Sequence, residues 1–269
     1  MRSLVAILAI IASVSISASA QTVPDITLTR LDCGTSGGPR DASIGFTDTY
    51  AYSGLKIQII FSCYLIKHGS DYMVWDAGFG MSAGAVAPKV SLVDQLAQLK
   101  LTPQRIKFIA ISHYHGDHIG QVGSFPDSTL LIGQRDWDVL TKNPNPMANP
   151  APFAHWITGG GKVEAVAQDK DVFADGTVVM LDMPGHTPGH HSLLVRLKNK
   201  GPVLLTGDLA HFQENYDGDG VPTFNTGRAE TLSSFDRFKK IVKNLKATVI
   251  IQHDARDVAK LPSFPSAAD

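Results

Sequence analysis

One six-residue stretch constrains this chain more than any other: His113-Tyr114-His115-Gly116-Asp117-His118. It follows RIKFIAIS, an apolar and β-branched run that reads as a strand. Alternate residues leaving a strand point the same way, so His113 and His115 together suit one metal ion. Gly116 permits a sharp turn, after which Asp117 and His118 face away from that pair and suit a second ion. Imidazole and carboxylate without thiolate fit zinc, and also accept iron, manganese or cobalt. Three histidines and an aspartate so close together are hard to account for as a solvated turn.

Three weaker clusters follow. Two Pro-Gly pairs bracket His186 in Pro184-Gly185-His186-Thr187-Pro188-Gly189-His190, a rigid turn that fixes a ring direction as ligation demands. His190 reads as a residue that orients this loop by hydrogen bonding, and His191 as structural. Asp208, in Thr206-Gly207-Asp208, has two oxygens and suits a bridge between two cations. His253, in Gln252-His253-Asp254, completes the set. Each cluster follows an apolar strand-like run, namely RIKFIAIS, TVVMLDM, PVLLTG or ATVIIQ. Strand ends at one edge of a sheet converge on a cleft in open α/β folds.

Elsewhere ITLTRLD, LKIQIIFSCYLI and YMVWDAG read as strands, and Leu92, Leu96 and Leu99 have helical spacing. Leu232, Phe235, Phe238, Ile241, Val242 and Leu245 mark one face of an amphipathic helix. No linker-like composition break separates these elements, which predicts one α/β domain over residues 21–269. Residues 34–54 and 143–161 read as long surface loops. Phe46, Tyr50 and Tyr52 in the first, and Met147, Phe153 and Trp156 in the second, are the candidates for an apolar pocket. The tail LPSFPSAAD is expected to be loosely held.

Residues 1–20 read as a secretory signal peptide: Arg2, an apolar stretch from Leu4 to Ile16, then Ala18-Ser19-Ala20 before a cleavage after Ala20. The mature protein is therefore expected in the periplasm or outside the cell, without stable membrane insertion. A formal net charge of −1 and the lack of a basic run point away from nucleic-acid partners. Export permits a disulfide between Cys33 and Cys63, the only cysteines, and two buried thiols fit equally well. Oligomeric state is not legible.

The four clusters in this order resemble the metallo-β-lactamase superfamily, whose HxHxDH motif stands here as HYHGDH. The resemblance runs from WDAGFG through PGHTPGHHS and LLTGD to IQHD, nearly the whole mature chain. It implies a four-layer αββα sandwich with a dinuclear site. His113, His115 and His186 would hold one divalent cation, Asp117, His118 and His253 the other, and Asp208 would bridge them. Within the superfamily the chain is most similar to N-acyl homoserine lactone lactonases, through FSCYLIKHGS, PVLLTGDLAHFQENYDGDGVP and QHDARDVAKLPSFP. That implies opening of a lactone ring by a metal-bridging hydroxide, the chemistry of quorum quenching, with Asp117 passing a proton to the leaving alkoxide. One departure stands out: His211 replaces a tyrosine usual in lactonases shortly after the bridging aspartate, which makes it the candidate donor to the oxyanion. The alternative substrates of the fold are other esters or lactones, phosphotriesters and β-lactams. Asp208 speaks against the last, because lactamases of this fold generally lack that carboxylate.

Overall fold

The computed structural model describes residues 25–142 and 145–269, so the expected signal peptide lies outside the described residues. The first half of the chain builds a six-stranded sheet. Its strands are β1 (Ile26–Thr35), β4 (Ile60–His68), β5 (Asp71–Trp75), β6 (Ile106–Ala110), β7 (Thr129–Gly133) and β8 (Val163–Val166), adjacent in that order. A two-residue pair, β2 (Arg40–Asp41) with β3 (Lys56–Ile57), closes the first long loop. The second half supplies β9 (Lys170–Asp171), β10 (Val178–Asp182), β11 (His191–Leu197), β12 (Gly201–Leu205) and β13 (Thr248–Ile250), in the order β13-β12-β11-β10-β9.

Side chains alternate across each strand, and that alternation sorts the core into three layers. In β4, Cys63 and Leu65 face one way and Tyr64 and Ile66 the other. In β11, Leu193 and Val195 meet Ile66, Trp75 and Leu131 of the first sheet, while Leu194 turns outward. The middle apolar layer thus lies between the two sheets. An outer layer packs the first sheet against Leu92 and Leu96 of α1 (Leu92–Gln98) and Ile119 of α2 (Gly116–Ile119). The other helices are α3 (Gln134–Thr141), α4 (Ala154–Ile157), α5 (Gln213–Asp217) and α6 (Arg228–Leu245). Phe235 and Phe238 of α6 are fully buried against Leu181, Leu194 and Leu204 of the second sheet. The result is the expected four-layer αββα sandwich.

Three expectations need correcting. The second loop is not all surface: Phe153 and Trp156 are buried, and Trp156 Nε1 donates to the Ser128 carbonyl at 3.3 Å. The tail is tied down, since Ala268 and Leu28 exchange backbone hydrogen bonds of 2.8 and 2.9 Å. Gly116 needs no special backbone; it opens α2, and a Cβ there would meet nothing within 4 Å. Cys33 and Cys63 form a disulfide between β1 and β4, with Cα atoms 5.9 Å apart. No described helix is long and apolar enough to cross a membrane.

Candidate metal centre

The ends of the strands deliver the candidate ligands. His113 and His115 leave the end of β6, Asp117 and His118 sit in α2, His186 in the turn between β10 and β11, Asp208 just past β12, and His253 just past β13. The first four come from one sheet and the last three from the other. Their ligand atoms fall into two groups, each within 4.8 Å: His113, His115, His186 and Asp208, and Asp117, His118, Asp208 and His253. Asp208 belongs to both. Its Oδ1 lies 2.8 Å from His253 Nε2 and 3.1 Å from His118 Nε2, while Oδ2 lies 3.2 Å from His186 Nε2 and 3.6 Å from His113 Nε2. One oxygen faces each group, as a bridge requires.

The imidazoles are held from behind. His118 Nδ1 donates to Asp76 Oδ2 at 2.8 Å, His253 Nδ1 to the Ile60 carbonyl at 2.8 Å, and His186 Nδ1 to Asn225 Oδ1 at 2.9 Å. His113 Nδ1 meets Ser112 Oγ at 3.0 Å, and that hydroxyl itself donates to Asp76. Each bond leaves the Nε2 lone pair aimed inward. His115 instead offers Nδ1, 2.9 Å from His186 Nε2, which is also 3.1 Å from His113 Nε2. Lone pairs pointed at one another at this range repel unless a positive charge lies among them. Nitrogens bound tetrahedrally to one zinc sit roughly 3.3 Å apart, given bonds of about 2.0–2.1 Å. The donor set and its spacing fit two divalent cations.

The electrostatics differ between the groups. Burial, joined by neighbouring imidazoles, pushes His115 down to about 3 and His113 well below the usual histidine value, so both present neutral rings. Burial works the same way on His118 and His253, but Asp208 and Asp117 outweigh it and raise both. Asp208 stays ionised despite its burial because the histidines around it favour its charge.

Several residues that periodicity cannot reveal complete the site. Asp76 adopts a left-handed backbone at φ 60, uncommon outside glycine. Its carboxylate accepts from Ser112 N at 2.7 Å, from Gln252 Nε2 at 2.6 Å and from His118, which fixes three turns at once. Its sequence signals are its place at a strand end before Ala77-Gly78 and its position in the WDAGFG stretch. His190 plays the orienting part expected of it: Nδ1 donates to the Met183 carbonyl at 2.8 Å, and Nε2 accepts the Asp208 backbone N–H at 2.9 Å. Gly207, at φ 56, leaves room for that ring, since a Cβ there would sit 2.6 Å from His190 Nε2.

His211 joins the site as well. It is 5% exposed, its Nε2 lies 3.2 Å from Asp208 Oδ2, and Phe46 and Phe224 pack edge-on to its ring. A cavity of about 400 Å³ opens over these groups, with Asp117, Asp208, His211 and His253 in its wall. Phe46, Phe61, Phe79, Val86, Met147 and Phe224 make the rest largely apolar, and Arg40 also lines it. Of the six candidates for this pocket, only Phe46 and Met147 line it. Tyr50 is 90% exposed, Tyr52 packs on Phe212, and Phe153 and Trp156 belong to the core.

Fold and site together define a hydrolase architecture, and residues 61–253 match the Metallo-beta-lactamase superfamily; the chain belongs to it. Among curated relatives, N-acyl homoserine lactonase AttM of Agrobacterium fabrum is 32% identical over 188 residues, 64% of this chain and 67% of that protein. N-acyl homoserine lactonase AiiA of Bacillus thuringiensis subsp. kurstaki is 27% identical over 221 residues, 76% of this chain and 84% of that one. A solved quorum-quenching N-acyl homoserine lactone hydrolase superposes with a TM-score of 0.76 at 25% identity, covering 90% of this chain and 97% of its own.

Proposed function

We propose that this chain is a dinuclear-metal lactonase that opens the ring of N-acyl homoserine lactones and so quenches quorum signals. The observation that carries the reading is the pair of ligand groups sharing Asp208 at the wall of an apolar cavity. The relatives named above, whose names specify this substrate, support it.

Metal one would be held by His113, His115 and His186, metal two by Asp117, His118 and His253, with Asp208 bridging. Two such cations, zinc in our reading, would supply a hydroxide nucleophile at neutral pH and Lewis-acid polarisation of a carbonyl. The chain's own residues do the remaining work. Phe46, Phe61 and Phe79 exclude water and take up the acyl chain. The N–H at His211 Nε2, aimed at the ligand group, hydrogen-bonds the carbonyl oxygen as its negative charge grows. Asp117, with its side chain 22% exposed on the cavity wall, would take the proton of the attacking hydroxyl and pass it to the departing ring oxygen. The C–O bond of the ring breaks, and the product is an N-acyl homoserine.

The same reading places the mature protein outside the cytoplasm. Its support is the signal-like pattern of residues 1–20 together with the Cys33–Cys63 disulfide, a bond that persists in oxidising compartments. The deciding experiment loads the purified protein with zinc and assays an N-acyl homoserine lactone, a chromogenic cephalosporin and a phosphotriester in parallel. Fast ring opening that chelation abolishes is expected. A two-zinc protein that leaves the lactone intact would overturn the assignment.

A further inference from the structure

Asp136 is a buried carboxylate with no role in the chemistry above. It lies in the first turn of α3, directly after β7, and is 0% exposed. No lysine or arginine pairs with it among the described residues. An uncompensated buried carboxylate is costly, so its hydrogen-bond donors show what it is for. Its Oδ1 accepts the Gly189 backbone N–H at 2.6 Å, and its Oδ2 accepts the Thr187 hydroxyl at 2.7 Å. Both donors belong to the turn that carries His186. The backbone N–H of Tyr114, the residue between His113 and His115, also favours its charged form.

The backbone is shaped to let this happen. A Cβ on Gly189 would stand 2.5 Å from the Asp136 amide nitrogen, and one on Gly133 would collide with the Gly189 carbonyl oxygen. Two glycines therefore bring the start of α3, which belongs to the first sheet's half, against the His186 turn of the second. Burial pushes the Asp136 carboxyl up to about 7, and the Thr187, Gly189 and Tyr114 donors pull against that rise. A carboxyl group buried at such cost lies between the two turns that supply three of one cation's ligands. Asp117, His118 and His253 neither hydrogen-bond nor ion-pair with it.

We propose that Asp136 is a positioning residue for one cation only: its carboxylate locks the His186 turn against the His113–His115 turn and thereby sets the affinity of that three-histidine site. The inference rests on the two-cation reading above, but not on the identity of the substrate.

The test compares the full-length zinc and cobalt(II) proteins with Asp136→Asn and Thr187→Val variants. Asparagine keeps the shape but sets an N–H against one of the donors, and valine removes the hydroxyl alone. Chelator competition counts the equivalents bound and their affinities, and cobalt(II) absorption tells the three-histidine site from the carboxylate-containing one. Asp136→Asn should weaken one equivalent, at the three-histidine site, roughly 10- to 100-fold and leave the other unchanged. Its activity should be low at stoichiometric zinc and recover with excess zinc, which a damaged fold would not do. Thr187→Val should act on the same site more mildly. Wild-type affinity at both sites, or equal weakening of both, overturns the proposal. If Asp136→Asn fails to fold, Thr187→Val decides by the same criterion. A wild-type protein that binds two cations but opens no acyl homoserine lactone defeats the functional assignment alone, while one that binds none defeats both.

Discussion

Protons and cations compete for the same nitrogens, and the seven ligand side chains do not compete equally. His118 and His253 hold a proton more readily than a free imidazole because Asp208 and Asp117 face them. His113 and His115, pressed among other rings and away from water, hold one less readily. A raised pKa means the proton returns at higher pH, and a proton on a ligand nitrogen blocks ligation outright, whereas neutralising Asp136 only loosens the His186 turn, so acidification should empty the Asp117–His118–His253 site first. Metal counted per chain between pH 7.5 and 5.5 should fall from two to one before the second leaves, with cobalt(II) spectra naming the survivor. Loss of the three-histidine cation first would contradict this ordering. A second prediction concerns His211. If its N–H serves the developing oxyanion, His211→Ala should lower kcat by roughly 10²- to 10³-fold with metal content unchanged. An unaltered kcat would return the residue to a packing role against Phe46 and Phe224.

Among the elements, α6 shows how pattern becomes stability. Its apolar stripe was legible from spacing alone, and the structure buries Phe235 and Phe238 in the outer layer of the second sheet. Truncating Phe235 to alanine there should cost about 3–5 kcal/mol, read as a lower denaturant midpoint with kcat at low temperature preserved. A shift below about 1 kcal/mol would mean that the layer repacks around the gap. The same legibility extended to the strands that lead to His113, His186, Asp208 and His253, because apolar runs and the polar residues that follow them are local signals. It failed where function depends on contacts between distant segments. Asp76 and Asn225 look like ordinary loop residues until His118 and His186 are seen leaning on them. The pocket was misread for the same reason. Phe153 and Phe61 are equally apolar, and only the burial of Phe153, just before α4, in the core and the place of Phe61 in β4 beside the opening decide which one faces a ligand. The disulfide, too, needed the pairing of β1 with β4 to bring Cys33 and Cys63 together.

For the molecule as a whole, the two halves of the chain meet chiefly through one apolar layer and through the ligand cluster. Cations held between them would therefore act as cross-links, stabilising only the folded state. At free metal a thousandfold above its dissociation constant, each site adds about 4 kcal/mol. Stripping both ions should lower Tm by on the order of 10 °C or more for a domain of this size. Calorimetry before and after chelation checks this, and an unchanged Tm would mean that the ions do not join the halves. The backbone bridge between Leu28 and Ala268 has a consequence of a different kind. It seats the start of the first strand beside the last residues of the chain, so a short linker could splice residue 269 to residue 25. A permuted gene could then begin at the exposed turn around Gly159 and still encode every contact described above, with its new ends well separated in sequence from every ligand.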